Sequence, residues 1–244
     1  MNVLSLFAGI GGLDLGLERA GMTVVGQVEI DPFCRRVLER HWPDVPRHDD
    51  VRTAVAWWVR RGAPAVDVVA GGFPCQPFST AGLRRGVTDE RWGWPWMADV
   101  VRAVRPRFVV VENVPALLAD RDAFGWLLAD LVTLGFAAEW SVLSACAVGA
   151  PHTRERLFLV AYADGGHGQA RLGTQLQNRA VPRGYLGASP WPDPVDGLVA
   201  ADGHGRGVAD GLSAGLEPAR VRALGNAVVP QVAEHIGRLV MAAS

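Results

Sequence analysis

No lysine occurs anywhere in the chain; all 24 basic side chains are arginine. A GC-rich coding bias explains this as well as a preference for arginine's planar fork at phosphate or guanine does. Cysteine is nearly as scarce: Cys34, Cys75 and Cys146 are scattered, odd in number and without metal-ligand spacing. That excludes a disulfide framework and a zinc site. Net charge is absent as well, at −1, so a nucleic-acid surface would have to be local rather than global. Long hydrophobic runs are missing. Stretches such as 108–111 have strand length, which argues against a membrane span. No basic segment with a cleavage site precedes the apolar run 3–7, so a cytoplasmic location is expected. Hydrophobic residues do make up 49% of 244 positions. That is enough to bury the core of one α/β domain with a small appended lobe.

From residue 1 to about 162, short apolar runs alternate with helix-period segments. This pattern predicts repeated βα units over a mostly parallel, doubly wound sheet. Strands are expected at 3–7, 23–29, 66–70, 107–112, 136–143 and 156–161. Helices are expected over 12–20, from Pro32 to about His41, and over 124–134. Pro32 suits a first helical position. Residues 164–218 are rich in Gly, Pro and Asp and have little periodicity. A closing helix from about Pro230 carries Val232, Ala233, Ile236, Leu239 and Val240 on one apolar stripe.

Four stretches combine chemistry with position. Phe7-Ala8-Gly9-Ile10-Gly11-Gly12 ends the first strand and opens a helix, where the backbone can turn tightly and present N–H groups to a ligand. Glu29 ends the second strand, where a carboxylate can accept ribose hydroxyls. Gly71-Gly72-Phe73-Pro74-Cys75-Gln76-Pro77 follows the strand 66–70. A cysteine held between prolines at a strand's C-terminal end lies in the crevice where open α/β sheets place ligands. Its reactive form is the thiolate. Glu112-Asn113-Val114 ends the next strand, so parallel neighbours would bring a general acid to the same rim as Cys75. Pro151-His152-Thr153-Arg154-Glu155-Arg156 leads into a later strand, and alternation in an extended segment puts Arg154 and Arg156 on one face.

In this order, and joined by Gly225-Asn226-Ala227-Val228-Val229-Pro230, these stretches resemble the motifs of the bacterial type of DNA (cytosine-5) methyltransferase family. The resemblance covers roughly residues 1–162 and 219–244. It implies a seven-stranded sheet of the S-adenosylmethionine-dependent methyltransferase type. It also implies that Cys75 adds to C6 of a cytosine while Glu112 protonates or hydrogen-bonds N3 and the exocyclic amine. Arg156 together with Arg154 would hold the cytosine O2. For S-adenosylmethionine the resemblance points to Phe7, Gly9, Ile10 and Gly11 along the methionine and adenine parts, and to Glu29 at the ribose. Asp50 would sit at the adenine amine, with adjacent Asp49 as a one-residue alternative. Ile30, Val51 and Pro74 belong to the same pocket, and Asn226 and Ala227 complete it. Double-stranded DNA is the implied partner, and its stacking demands base flipping. Residues 79–97 resemble a loop that closes over DNA, with Ser79, Arg84, Arg85 and Arg91 as DNA contacts. The glycines among the tryptophans there suit a lid rather than core packing. A restriction endonuclease partner and a monomeric state complete what the resemblance implies.

Two departures stand out. His152 occupies a position usually held by Gln in the family. The stretch 164–218 is short for a target-recognition region between a catalytic part (1–163) and a C-terminal return (219–244). Its arginines Arg171, Arg179, Arg183 and Arg206 are matched by Asp193, Asp196, Asp202 and Asp210. Alternatives that use the same groups are RNA or free-nucleotide cytosine methylation. A non-catalytic DNA-binding accessory protein would not need Cys75, Glu112 and Arg156 together, and a dinucleotide-dependent oxidoreductase has no role for the Cys75 motif.

Overall fold

The computed structural model describes residues 1–75, 92–163 and 218–244. The described residues form a seven-stranded sheet in the order β3-β2-β1-β4-β5-β7-β6. The strands are β1 (Asn2–Leu6), β2 (Thr23–Val28), β3 (Arg47–His48), β4 (Val68–Gly71), β5 (Phe108–Asn113), β6 (Phe136–Leu143) and β7 (Arg156–Ala163). The first five pair in parallel. β7 runs antiparallel to both β5 and β6. The seven-stranded, mostly parallel sheet expected from the sequence is therefore present.

Period-two alternation sorts the strands' side chains onto two cores. Leu4, Leu6, Val69, Val109, Val111, Leu157 and Leu159 face one side. There they pack with α3 (Ala54–Arg60), α4 (Trp94–Val104) and α5 (Arg121–Thr133). Val3, Val24, Val68, Ala70, Val110, Phe158 and Val160 face the other side, under α1 (Gly12–Arg19) and the last helix, α7 (Pro230–Ala242). The apolar stripe expected from Pro230 onward is this buried face. α1 and α7 meet at Gly16, where an added Cβ would collide with the Ala233 side chain and the Pro230 carbonyl. The C-terminal return is thus held by a contact that admits no side chain. α2 (Pro32–His41) starts where expected, because the Asp31 carboxylate caps it by accepting from the N–H groups of Phe33 (2.7 Å) and Cys34 (3.2 Å).

Among the elements that escaped the sequence reading are the two-residue β3, α3, and α4. The last corrects the expected lid at 92–97, while 79–91 lie outside the described residues. Trp94 and Met97 lie inside α4 and are fully buried, and Trp92 is buried beside them. Phe73 contacts the Trp92 and Trp94 rings, so these two tryptophans pack the core. Regular structure resumes after the undescribed stretch 164–217 with α6 (Pro218–Asn226). Among the described residues no helix is long and apolar enough to cross a membrane.

Candidate active site

The chain leaves β1 to build β2 and β3 on one side, then returns to place β4 on the other. Open α/β sheets form their ligand crevice at such a switch, beyond the carboxyl ends of the strands. Leu6 pairs with Gly71 and Gly71 with Val111, so the segments after β1, β4 and β5 emerge together. Gly72 then stands beside Glu112. A Cβ on Gly72 would come within 2.8 Å of Glu112 Oε2, so the carboxylate occupies space that only glycine leaves free. Asn113 fastens the two segments: its Nδ2 donates to the Phe73 carbonyl (3.1 Å), and its Oδ1 accepts from the Val114 N–H (2.9 Å). Cys75 follows, half-buried, in an isolated antiparallel bridge with Trp92.

The antiparallel run of β7 completes the rim. Its start, not its end, lies level with the carboxyl ends of β4 and β5, since Asn113 pairs with Leu157. Arg156 is thereby delivered to Glu112, with Nε 3.1 Å from Oε1. Burial raises the Glu112 pKa to about 7, against the lowering effects of Arg156 and then Arg154. Burial also raises Cys75. The Val114 N–H lowers it, the Glu112 charge raises it and the Arg156 charge lowers it. The thiol, the carboxyl and the guanidinium therefore share one electrostatic environment. Protonating Glu112 removes a like charge and eases ionisation of Cys75.

Arg154 behaves differently from its neighbour. β7 begins at Arg156, and Arg154 precedes it with φ +21°, outside the extended region that alternation requires. Its Nη2 donates to the carbonyls of Gly225 (2.5 Å) and Ala227 (2.8 Å). The expectation that strand alternation puts Arg154 and Arg156 on one face is corrected, because the backbone at Arg154 is not extended; both charges still reach Glu112.

Two clefts share the glycine loop. One, of about 260 Å³, is walled by Phe7, Ile30, Val51, Pro74 and Trp96, with Glu29, Asp50 and Arg52 among its lining. Phe7 holds φ +53°, a conformation that costs energy in a non-glycine residue and that clusters at functional sites. Glu29 accepts from the Gly9 N–H and the Asp31 N–H, both at 2.7 Å, which fixes the loop against β2. Asp50 caps the turn 51–53 and takes the Arg52 guanidinium on both oxygens, Oδ1 accepting from Nε at 2.9 Å and Oδ2 from Nη2 at 2.7 Å. Asp49 is exposed and lines a separate hollow with His48 and Arg35, so the acid facing the Glu29 cleft is Asp50. The second cleft, of about 470 Å³, is lined by Ile10, Gly11, Trp42, His152, Arg154, Ala227 and Val228, among others. Asn226 is exposed at the end of α6. Ser79, Arg84, Arg85 and Arg91, and most of the stretch 164–218, lie outside the described residues. Among the described residues no cluster of three His, Cys, Asp or Glu could hold a metal ion.

Sequence reasoning missed Asn113, Gly72, Trp96 and Arg52 as parts of these sites. Asn113 and Gly72 stood inside the quoted motifs, so their signal was present. Trp96 and Arg52 meet across the cleft, with the guanidinium carbon 6.0 Å from the ring centroid; no local pattern announces that contact.

A family model described as C-5 cytosine-specific DNA methylase matches residues 1–184. The Bacillus subtilis Type II methyltransferase M2.BsuMI is 35% identical over 66% of this chain and 42% of its own. Type II methyltransferase M.NaeI of Lentzea aerocolonigenes is 33% identical over 83% of this chain and 48% of its own. The chain thus spans less than half the length of these relatives. Among solved structures, the Entamoeba histolytica methyltransferase EhMeth superposes with a TM-score of 0.66 at 15% identity, covering 100% of this chain and 99% of that one. That likeness speaks to the fold alone.

Proposed function

This chain belongs to the C-5 cytosine-specific DNA methylase family, and from that premise we propose that it methylates C5 of a flipped-out cytosine in double-stranded DNA through a covalent bond from Cys75. The observation that carries the reading is the Arg156–Glu112 ion pair at 3.1 Å, on the rim that also holds Cys75. Cytosine C5 is a poor nucleophile. As the Cys75 thiolate forms a bond to C6, the C5–C6 π electrons move toward N3, which takes the proton of the Glu112 carboxyl. C5 then has enamine character and accepts the methyl group. A base, water included, removes the C5 proton; the C5–C6 double bond re-forms, the thiolate leaves, and the N3 proton returns to Glu112. Arg156 orients Glu112 and hydrogen-bonds the cytosine O2. A Glu112 pKa near 7 keeps the acid form accessible at neutral pH.

S-adenosylmethionine supplies the methyl group as an electrophile. The residues present fit it: the Phe7–Trp96 cleft has apolar walls for a planar base, and two carboxylates, Glu29 and Asp50, for hydroxyl and amine groups. Ile30 is 67% exposed at this cleft, an apolar side chain that a bound ring would cover. Gly9, Ile10 and Gly11 present the loop backbone, and Ala227, with Asn226 beside it, closes the neighbouring cleft. The curated relatives are named Type II methyltransferases, which supports a cognate restriction endonuclease as part of the same proposal.

The test is direct. Protein, labelled S-adenosylmethionine and duplex DNA yield 5-methylcytosine, and Cys75→Ser yields none. DNA carrying 5-fluorocytosine accumulates a denaturant-resistant complex, because fluorine cannot leave C5 as a proton does. Label on adenine N6 or cytosine N4 overturns the proposal.

A further inference from the structure

We propose that Arg154 is a positioning residue that ties the start of β7 to the returning C-terminal loop and thereby shapes the cofactor cleft, rather than a contact of the cytosine. The inference rests on the reading of the Ile10–Ala227 cleft as the part of the S-adenosylmethionine site that adjoins the Phe7–Trp96 cleft. Its geometric basis is a pair of hydrogen bonds between segments far apart in sequence. Arg154 Nη2 reaches the carbonyls of Gly225 and Ala227, 71 and 73 residues away. Gly225 lies in the last turn of α6 and Ala227 just beyond its end. The final carbonyls of a helix lack intrahelical partners and carry its negative dipole end. A guanidinium, permanently charged and forked, satisfies both demands at once.

The consequence falls on the cleft. Residues 227–229 run directly from this tie into α7 and form the wall that faces Ile10 and Gly11, and Arg154 itself lines the same space. At Gly12 an added Cβ would strike the Val228 carbonyl, so the glycine loop and the returning segment are in contact. Displacing one displaces the other. The left-handed backbone at Arg154, φ +21°, turns its side chain toward this segment, while Arg156 turns to Glu112. Two arginines two residues apart thus divide the work, one holding the acid and one holding the cofactor wall.

The experiment compares Arg154→Met with Arg156→Met. It uses calorimetric binding of S-adenosylhomocysteine, kcat at saturating cofactor, and amide hydrogen exchange of the free protein. Loss of two charge-assisted bonds predicts about tenfold or greater weakening of Kd in R154M. It also predicts faster exchange across residues 218–230 and a larger loss in cofactor Kd than in kcat. R156M is expected to show the reverse split, with kcat lowered and Kd little changed. Arg154→Lys keeps the charge and donors without the fork. It carries the test at smaller amplitude, about twofold to fivefold in Kd, should R154M not fold. A fall in kcat with unchanged Kd in either Arg154 variant overturns the proposal, as does unchanged exchange in 218–230. Failure of the unmutated protein to bind S-adenosylhomocysteine would refute the cofactor reading instead. The exchange result would still judge the tie.

Discussion

Two buried carboxylates can be set side by side, one in the floor beneath the glycine loop and one on the rim above Cys75. Asp14, in the first turn of α1, is wholly inaccessible. It accepts from Ser5 Oγ at 2.5 Å and Gln27 Nε2 at 2.7 Å. Burial lifts its pKa to about 6. Glu112 is lifted to about 7 by the same cause, but its partner is a guanidinium and it lies beside a half-buried thiol. Desolvation is common to both, so a raised pKa does not by itself mark a functional acid. What separates them is the company. Asp14 pins α1 to β1 and β2 with neutral donors, whereas Glu112 has a charged partner and a rim on which to deliver a proton.

The comparison can be broken at its strongest point by Glu112→Gln. The amide lacks the transferable proton, and kcat/KM is expected to fall about 10²–10⁴-fold. The pH profile sharpens this. With Glu112 titrating near 7 and Cys75 raised, the active form carries a protonated acid and an ionised thiol. Its population rises with pH up to about 7, stays level, and falls only above the thiol's pKa. In E112Q the limb near 7 disappears and the residual rate keeps rising with pH. A retained limb at 7 would assign it to another group. Next in size, Arg156→Met should lower the rate about a hundredfold and move the same limb above 7, because the charge that lowers Glu112 is gone. A limb that moves down would contradict the ion pair's role.

Smaller effects are expected beneath the loop. Ser5→Ala removes one donor from a buried carboxylate and should cost about 1–3 kcal/mol in denaturant unfolding at pH 8. Turnover of the folded enzyme should fall far less than in E112Q. Asp14→Asn is the mildest. Its amide can donate to Gln27 Oε1, a buried atom with no partner in the parent, if the Gln27 amide turns over. Asp14's folded pKa, near 6, lies above its ordinary 3.8. Its contribution to stability is therefore present in full below pH 3.8 and lost as pH rises through 6. Between pH 5 and 8 the parent should lose about 1–2 kcal/mol that D14N does not. Unfolding curves with equal pH dependence would show that Asp14 titrates normally.

Much of this was readable along the chain. Pro32 announced the start of α2, and each motif stood at a strand end. The failures have physical causes. β3 is two residues long and held by pairing with β2, so it has no pattern of its own. α3, with its Ala-Val-Ala-Trp-Trp run, shows no clean helical stripe, because Trp57 lies against His48 and the next, Trp58, is buried. Trp92 and Trp94, surrounded by glycines, suggested a lid. Their burial depends on Phe73, which lies across an undescribed stretch.

By itself, then, the sequence determined which groups are candidates for the proposed chemistry and at which strand ends they sit, because candidate nucleophile, acid and glycine loop are each written in a few adjacent residues. Tertiary structure alone decided their partners. The reversed direction of β7 carries Arg156 to Glu112, and the return of the C-terminus gives Arg154 the carbonyls of Gly225 and Ala227. Such pairings follow from strand register and helix packing across dozens of residues, and the energy that selects them belongs to the assembled core rather than to any short segment.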